Sequence, residues 1–132
     1  MIQAVSDTHT VIWFVWADPR LSGSAKSFID AILDDGGQVA VSSISLVEIV
    51  YLAEKRRIDP TTLDRILALL EVRELFVESL VDRSILQALA AIDRAQVPDM
   101  PDRIIAATAA HLGVPLITRD AKIRASSVPT IW

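Results

Sequence analysis

Five acids carry the chemical interest of this chain: Asp7, Glu48, Asp99, Asp102 and Asp120. Asp7 closes the apolar stretch "IQAVSD". Glu48 interrupts "SISLVEIVYL". Asp99 and Asp102 stand three residues apart, just ahead of the alanine-rich run "IIAATAAHLG". Asp120 follows Thr118 by two residues in "LITRD". Carboxylates gathered in one place repel each other, and a divalent cation relieves the repulsion. Mg²⁺ takes oxygen ligands, keeps several of its waters and serves sites that handle phosphate. Such a cation eases ionisation of an attacking water and stabilises charge on phosphoryl oxygens, and a second can stabilise the leaving oxygen. Metal-assisted attack of water at a phosphoryl group is therefore the chemistry these residue types suggest.

Each acid also has a plain structural use. Asp99 fits a helix N-cap with Asp102 at the third helical position, a spacing like that of a capping box. Pro101 suits a first turn, and both acids favour the positive end of a helix. Asp7 fits a turn after a buried strand, and Asp120 fits the cap of a short helix starting near Ala121. Glu48 is the least easily dismissed. Its neighbours at helical spacing are Ile44, Ser45, Tyr51 and Leu52, a mostly apolar face. A carboxylate there needs a donor, a cation or a shifted pKa, unless it reaches water at a boundary.

The elements that must position these acids alternate between strand and helix. "IQAVSD", "QVAVS", "ELFVESL" and "VPLIT" read as short buried strands, with "VPTIW" as a fifth. A helix after Asp7 is expected to be capped by Thr8 or Thr10. A second carries Phe28, Ile29, Ile32 and Leu33 and stops at Gly36-Gly37. "SISLVEIVYLAEKRR" reads as a helix capped by Ser43 or Ser45, and "DPTTLDRILALLEVR" as another with Pro60 near its start. "VDRSILQALAAID" and "PDRIIAATAAHLG" follow, the latter closed by Gly113. This alternation indicates an α/β domain around a mainly parallel sheet, one domain over residues 1–132. Helices outnumber strands, and an inserted helical pair over residues 45–70 is the expected source. In such sheets, sites form beyond the carboxyl ends of strands. Asp7 and Asp120 fall there directly. Asp102 reaches that edge only if the loop ahead of it crosses there.

Composition narrows the choices. The chain has 132 residues, is 52% hydrophobic and carries a net charge of -4, with a mean hydropathy of +0.40. That fits a compact domain and argues against a broad basic face for duplex DNA. There is no cysteine, so disulfides and thiolate zinc sites are out. No stretch is long enough to span a membrane, and "MIQAVSD" lacks the features of a signal peptide, so a cytoplasmic location is expected.

At this point the chain resembles the PIN domain family, and within it the VapC-type toxin ribonucleases. "AVSDTHTVIW", "SSISLVEIVYLAEK", "DMPDRIIAATAAHLG" and "PLITRDAKI" carry the resemblance in order along nearly the whole length. It implies a three-layer α/β/α fold and cleavage of single-stranded regions of structured RNA with one or two Mg²⁺ or Mn²⁺ ions. Asp7, Glu48 and Asp102 would form the principal acidic site, Asp120 its fourth member and Asp99 an extra metal ligand. Thr118 matches the family hydroxyl and would orient a carboxylate or water. Water would attack phosphorus in line, leaving a 3′-hydroxyl and a 5′-phosphate. Homodimerisation and inhibition by a co-encoded VapB-like antitoxin are also implied.

Other residues are read more plainly. Arg103, Arg119 and Lys122 are candidate RNA contacts, with Arg20, Lys26 and Arg124 also near loops or helix starts. His9 suits packing or capping, with substrate contact as the alternative, and His111 suits a helix C-terminus. Trp13 and Trp16 read as core or partner-contact residues. Two other functions compete. A receiver-type signalling module lacks its adjacent acid pair and late lysine here. A non-enzymatic partner-binding module would use the apolar residues and leave the acids as caps.

Overall fold

The computed structural model describes residues 1–132. Five strands form one sheet: β1 (Ile2–Ser6), β2 (Gln38–Ser42), β3 (Phe76–Ser79), β4 (Leu116–Ile117) and β5 (Thr130–Ile131). Their order is β3-β2-β1-β4-β5, and every neighbouring pair is parallel. The chain builds outward from β1 to β3, then returns to the other side of β1 for β4. That reversal opens a crevice at the carboxyl ends of β1 and β4, where an open α/β sheet accommodates ligands.

Seven helices connect the strands: α1 (Thr8–Val15), α2 (Gly23–Asp34), α3 (Ser43–Glu54), α4 (Thr62–Val72), α5 (Arg83–Leu89), α6 (Met100–Leu112) and α7 (Ala121–Arg124). The pair expected between β2 and β3 is present as α3 and α4. The surplus is not confined to it, because α1–α2 and α5–α6 are pairs as well. Parallel strands need long crossovers, and here three of the four crossovers use two helices.

The side-chain alternation of the strands divides the core into two layers. Ala4, Val39, Val41, Phe76 and Ile117 face α1, α2 and α4. Val5, Ala40, Val77 and Leu116 face α5, α6 and α7. Helix α3 serves both layers, with Ile49 in the first and Ile44 packed against the second. The fold is therefore α/β/α in three layers. The alanines Ala106, Ala107 and Ala109 let α6 lie close on the sheet, with Ile105 fully buried among them. Truncating such an isoleucine to alanine costs about 2–5 kcal/mol.

Caps place the helix starts. Asp7, not Thr8 or Thr10, caps α1, and Ser42, one residue earlier than expected, caps α3. Asp99 caps α6 and Asp120 caps α7, as their spacing predicts. Gly113 ends α6 with φ +68°, a left-handed conformation that glycine adopts without strain. Because α6 runs back to feed β4, its first turn lies at the carboxyl edge of the sheet, which brings Asp102 there. No helix is long and apolar enough to cross a membrane.

Candidate active site

An open cleft of about 310 Å³ lies at that edge, and all five acids line it. They come from four places in the chain. Asp7 ends β1, Glu48 sits in α3, Asp99 and Asp102 start α6, and Asp120 follows β4. The remaining wall is Thr8, His9, Thr10, Trp13 and Arg119.

Asp7 is the most tightly held. Its Oδ1 accepts from the Thr8 backbone N–H at 2.7 Å, the bond that caps α1. Its Oδ2 accepts from the Thr118 hydroxyl at 2.6 Å. Thr118 Oγ1 in turn accepts from the Asp120 backbone N–H at 3.0 Å. The hydroxyl therefore links β1 to the turn after β4 and fixes two acids together. Asp7 is 8% exposed. Burial pushes its carboxyl above the usual range, against the lowering effect of the bonds from Thr118 and Thr8.

Glu48 finds the donor its apolar surroundings demand. Thr8 Oγ1 lies 2.6 Å from Glu48 Oε1 and 2.9 Å from Ser45 Oγ. One hydroxyl carries one proton. Thr8 therefore donates to the carboxylate, while the Ser45 hydroxyl donates to Thr8. Glu48 is half-buried, and burial raises its pKa, helped by the charges of Asp7 and Asp99 and opposed by the Thr8 bond.

Asp102 has no such donor. Burial pushes its carboxyl up to about 7, reinforced by Asp7, Asp99, Asp120 and Glu48. Asp99 accepts from the Asp102 backbone N–H at 3.1 Å, and Asp120 from that of Ile123 at 2.9 Å. These two acids thus cap helices and line the cleft at once.

The donor chemistry of this cleft fits a divalent cation. Five oxygen-bearing carboxylates face one arginine, and that arginine, Arg119, forms no ion pair with any of them. Mutual repulsion is left standing, and it adds to burial in raising the Asp102 carboxyl. No three acids already converge on one point as a finished coordination set. A cation that retains several waters does not require one.

The other residues sort differently from their sequence expectation. Arg103 does not line the cleft. Its guanidinium donates to the carbonyls of Ile92 and Leu89, tying α6 to the preceding loop. Lys122 is exposed on α7 and also lies outside the lining, whereas Arg119 is part of it. His111 stands in the last turn of α6, as expected. Sequence reasoning missed Thr8 as the partner of Glu48, and it read Trp13 as a core or partner-contact residue rather than as part of the cleft. Trp13 is core, at 4% exposure, but it is also wall. Its neighbour His9 is exposed at the mouth, with the two ring centroids 5.5 Å apart. The i, i+4 spacing of His9 and Trp13 on the helix capped by Asp7 was the available signal.

These features define an α/β protein with an acidic cleft at a sheet switch point, and comparison gives the class a name. The PIN domain family model matches residues 4–127, and the chain belongs to that family. It is 29% identical over 136 residues to Ribonuclease VapC22 of Mycobacterium tuberculosis, with both chains fully covered. A toxin-antitoxin complex from Klebsiella pneumoniae contains a chain of the same fold, with a TM-score of 0.70 and 25% identity, covering 98% of this chain and 97% of that one. VapBC2 from Rickettsia felis, bound to a DNA fragment from its promoter, matches with a TM-score of 0.72 over 98% and 97% of the two chains. Its 16% identity speaks to the fold alone. The chain thus resembles the VapC-type toxins of toxin-antitoxin systems.

Proposed function

We propose that this protein is a metal-dependent endoribonuclease that hydrolyses phosphodiester bonds in single-stranded regions of structured RNA. We further propose that it is the toxin of a toxin-antitoxin pair, acting in the cytoplasm. One observation carries the reading: carboxylates from four separate places in the chain meet in one cleft without basic partners. Likeness to a ribonuclease over the whole chain supports the substrate class. Likeness to a chain from a toxin-antitoxin complex supports an antitoxin of the VapB kind as partner. The exposed row Val47, Val50 and Tyr51 on α3 supports a homodimer or another protein contact.

Asp7, Glu48, Asp102 and Asp120 would hold one or two Mg²⁺ or Mn²⁺ ions, directly or through water, with Asp99 contributing. When bound, the ion supplies stabilisation of phosphoryl charge and eases ionisation of the attacking water. The chain supplies the rest. Thr118 and the Thr8 N–H hold both oxygens of Asp7 in place, so the carboxylate meets its ligand with little loss of rotamer freedom. Thr8 does the same for Oε1 of Glu48. The Asp102 carboxyl, pushed up to about 7, would be partly protonated near neutral pH and would give up that proton to an arriving cation. No histidine is required as base. Arg119, in the wall of the cleft, would contact a phosphate of the substrate. Arg103 is committed to backbone carbonyls, and Lys122 is left as a contact with RNA beyond the cleft.

The test is cleavage of end-labelled structured RNAs with Mg²⁺ or Mn²⁺ and with EDTA, beside folded Asp7→Asn and Asp102→Asn proteins. Discrete cuts with 5′-phosphate ends, present only with metal and lost in both variants, are expected. No cutting of a broad RNA set, together with no Mn²⁺ binding, would overturn the reading. A partner-binding module would then lead. The apolar groove lined by Phe14, Leu69, Val72 and Phe76 is the observation that favours it.

A further inference from the structure

Arg119 is the one arginine in the wall of an acidic cleft, yet it pairs with no acid. It makes no ion pair and no hydrogen bond. Its position is nonetheless well determined. On one side in sequence, Thr118 donates to Asp7. On the other, Asp120 donates its N–H to Thr118 and caps α7. The Arg119 backbone is thus pinned between two site residues. Its side chain crosses to α1, where the guanidinium carbon lies 4.5 Å from the centroid of the Trp13 ring. The attraction of a guanidinium to an indole face holds it beside the ring but uses none of its five N–H donors.

Trp13 is itself held firmly. Trp132 packs edge-on against it at 5.9 Å, and His9 lies tilted beside it at 5.5 Å. Arg20 also lies over the ring, at 5.1 Å. The two arginines differ in one respect. Arg20 is bound through Nε and a terminal nitrogen to Asp18, at 3.1 and 2.7 Å, so its charge is answered within the chain. The charge of Arg119 is not. An oriented guanidinium with free donors, beside carboxylates that do not claim it, is built to receive an anion from outside. Bidentate recognition of phosphate is the chemistry that suits it.

We propose that Arg119 grips a backbone phosphate of the RNA strand next to the bond that is cut, and that Trp13 is the positioning residue that aims it. This rests on the nuclease reading above and names the residue pair that gives that site its hold on substrate. Trp13 touches no substrate in this account. It keeps the guanidinium against the indole and prevents its collapse onto Asp7 or Asp120, where it would compete with a cation.

The experiment uses the full chain with Mn²⁺ and three variants: Arg119→Ala, Arg119→Lys and Trp13→Phe. KM and kcat for cleavage are measured along with thermal stability. Binding of a labelled single-stranded RNA to the Asp7→Asn protein, with and without each change, is followed across salt concentrations. Arg119→Ala is expected to raise KM about tenfold, with kcat changed by less than about threefold. It should also flatten the salt dependence of binding by about 0.7 in log-log slope, the loss of one phosphate contact on a single strand. Arg119→Lys keeps the charge and the slope but not the paired N–H donors of a guanidinium, so KM recovers only in part. Trp13→Phe is expected to keep the slope and raise KM about threefold. If Trp13→Phe does not fold, Arg119→Lys asks the same question from the other side of the stack.

Unchanged KM and slope in Arg119→Ala, with only the melting temperature lowered, would show that Arg119 merely covers the indole. Full recovery by Arg119→Lys, or an unchanged KM in a folded Trp13→Phe protein, would overturn the positioning role. A wild-type chain that neither cuts nor binds RNA overturns the nuclease reading and this one together. A wild-type chain that cuts, beside an indifferent Arg119→Ala, overturns this one alone.

Discussion

Asp82 at the start of α5 and Asp99 at the start of α6 make the same bond. Each carboxylate accepts from the backbone N–H three residues on, at 3.1 Å. The two helices pack against each other, and both acids are exposed. Their settings differ. Asp82 is followed by Arg83 and Ser84 and stands outside the cleft. Asp99 is followed at the third helical position by Asp102 and shares the cleft with four other acids. The same local device thus serves only the helix at one start and a functional site at the other. What separates them is the company that the sheet reversal brings: Asp7 from β1, Asp120 from beyond β4 and Glu48 from α3.

The largest effect that tests this contrast is on RNA cleavage. Asp102→Asn is expected to lower metal-dependent cleavage by at least about 100-fold, the scale of losing a group that acts on transition-state charge. Asp82→Asn, carrying the same chemical change, is expected to alter it less than about twofold. A comparable loss in both would mean that the acids matter only through folding.

A second test reads stability against pH. Asp7, Glu48 and Asp102 all have raised pKa values in the folded protein. At these three sites the folded state therefore holds more protons than the unfolded one once pH rises above about 3.8. The stability these three groups contribute is full below that value and is lost as pH rises toward about 7, the folded value of Asp102, whereas the lowered Asp18 and Asp59 oppose this trend only at more acid pH. Melting in EDTA should accordingly give a lower Tm at pH 8 than at pH 5. Asp102→Asn should flatten that slope, and Asp82→Asn should leave it as it is. Mn²⁺ at saturating concentration should restore several degrees at pH 8 in the wild type and far less in Asp102→Asn. A rising Tm from pH 5 to pH 8 in EDTA would contradict the electrostatics assigned to the cleft.

The smallest effect concerns the caps themselves. Asp82→Ala should cost about 1 kcal/mol of stability, the ordinary value of a lost N-cap. Asp99→Ala loses the same cap but removes a negative charge beside Asp102, so its cost without metal should be smaller. Denaturant midpoints of the two variants at pH 8 and low salt make the comparison. Equal losses would mean that Asp99 acts as a cap alone.

Much of this was legible in the chain. The strands ending at Ser6 and Ser42 announced themselves through apolar, β-branched runs, and α6 through Pro101 near its start and Gly113 at its end. Asp99 and Asp120 were readable as caps from spacing alone. Glu48 was readable as an anomaly, because its helical neighbours are apolar. The distribution of helix pairs over three crossovers was less legible, since a local pattern shows a helix but not which strands it joins. The caps of α1 and α3 fell one residue before the expected ones. Several adjacent Ser, Thr and Asp residues compete at each start, and backbone geometry chooses among them.

The sequence by itself determined the alternation of elements, the parallel sheet it demands and the five acids, because each depends on local periodicity or residue type. Only the tertiary structure decided that Thr118 joins Asp7 across 111 residues and that Thr8 supplies the donor for Glu48 across 40. It alone turned Arg103 to backbone carbonyls and laid Arg119 on Trp13. Those choices depend on which strand ends become neighbours when β4 returns to the side of β1. Spacing along the chain carries no information about that until burial of both sheet faces fixes the order of the strands.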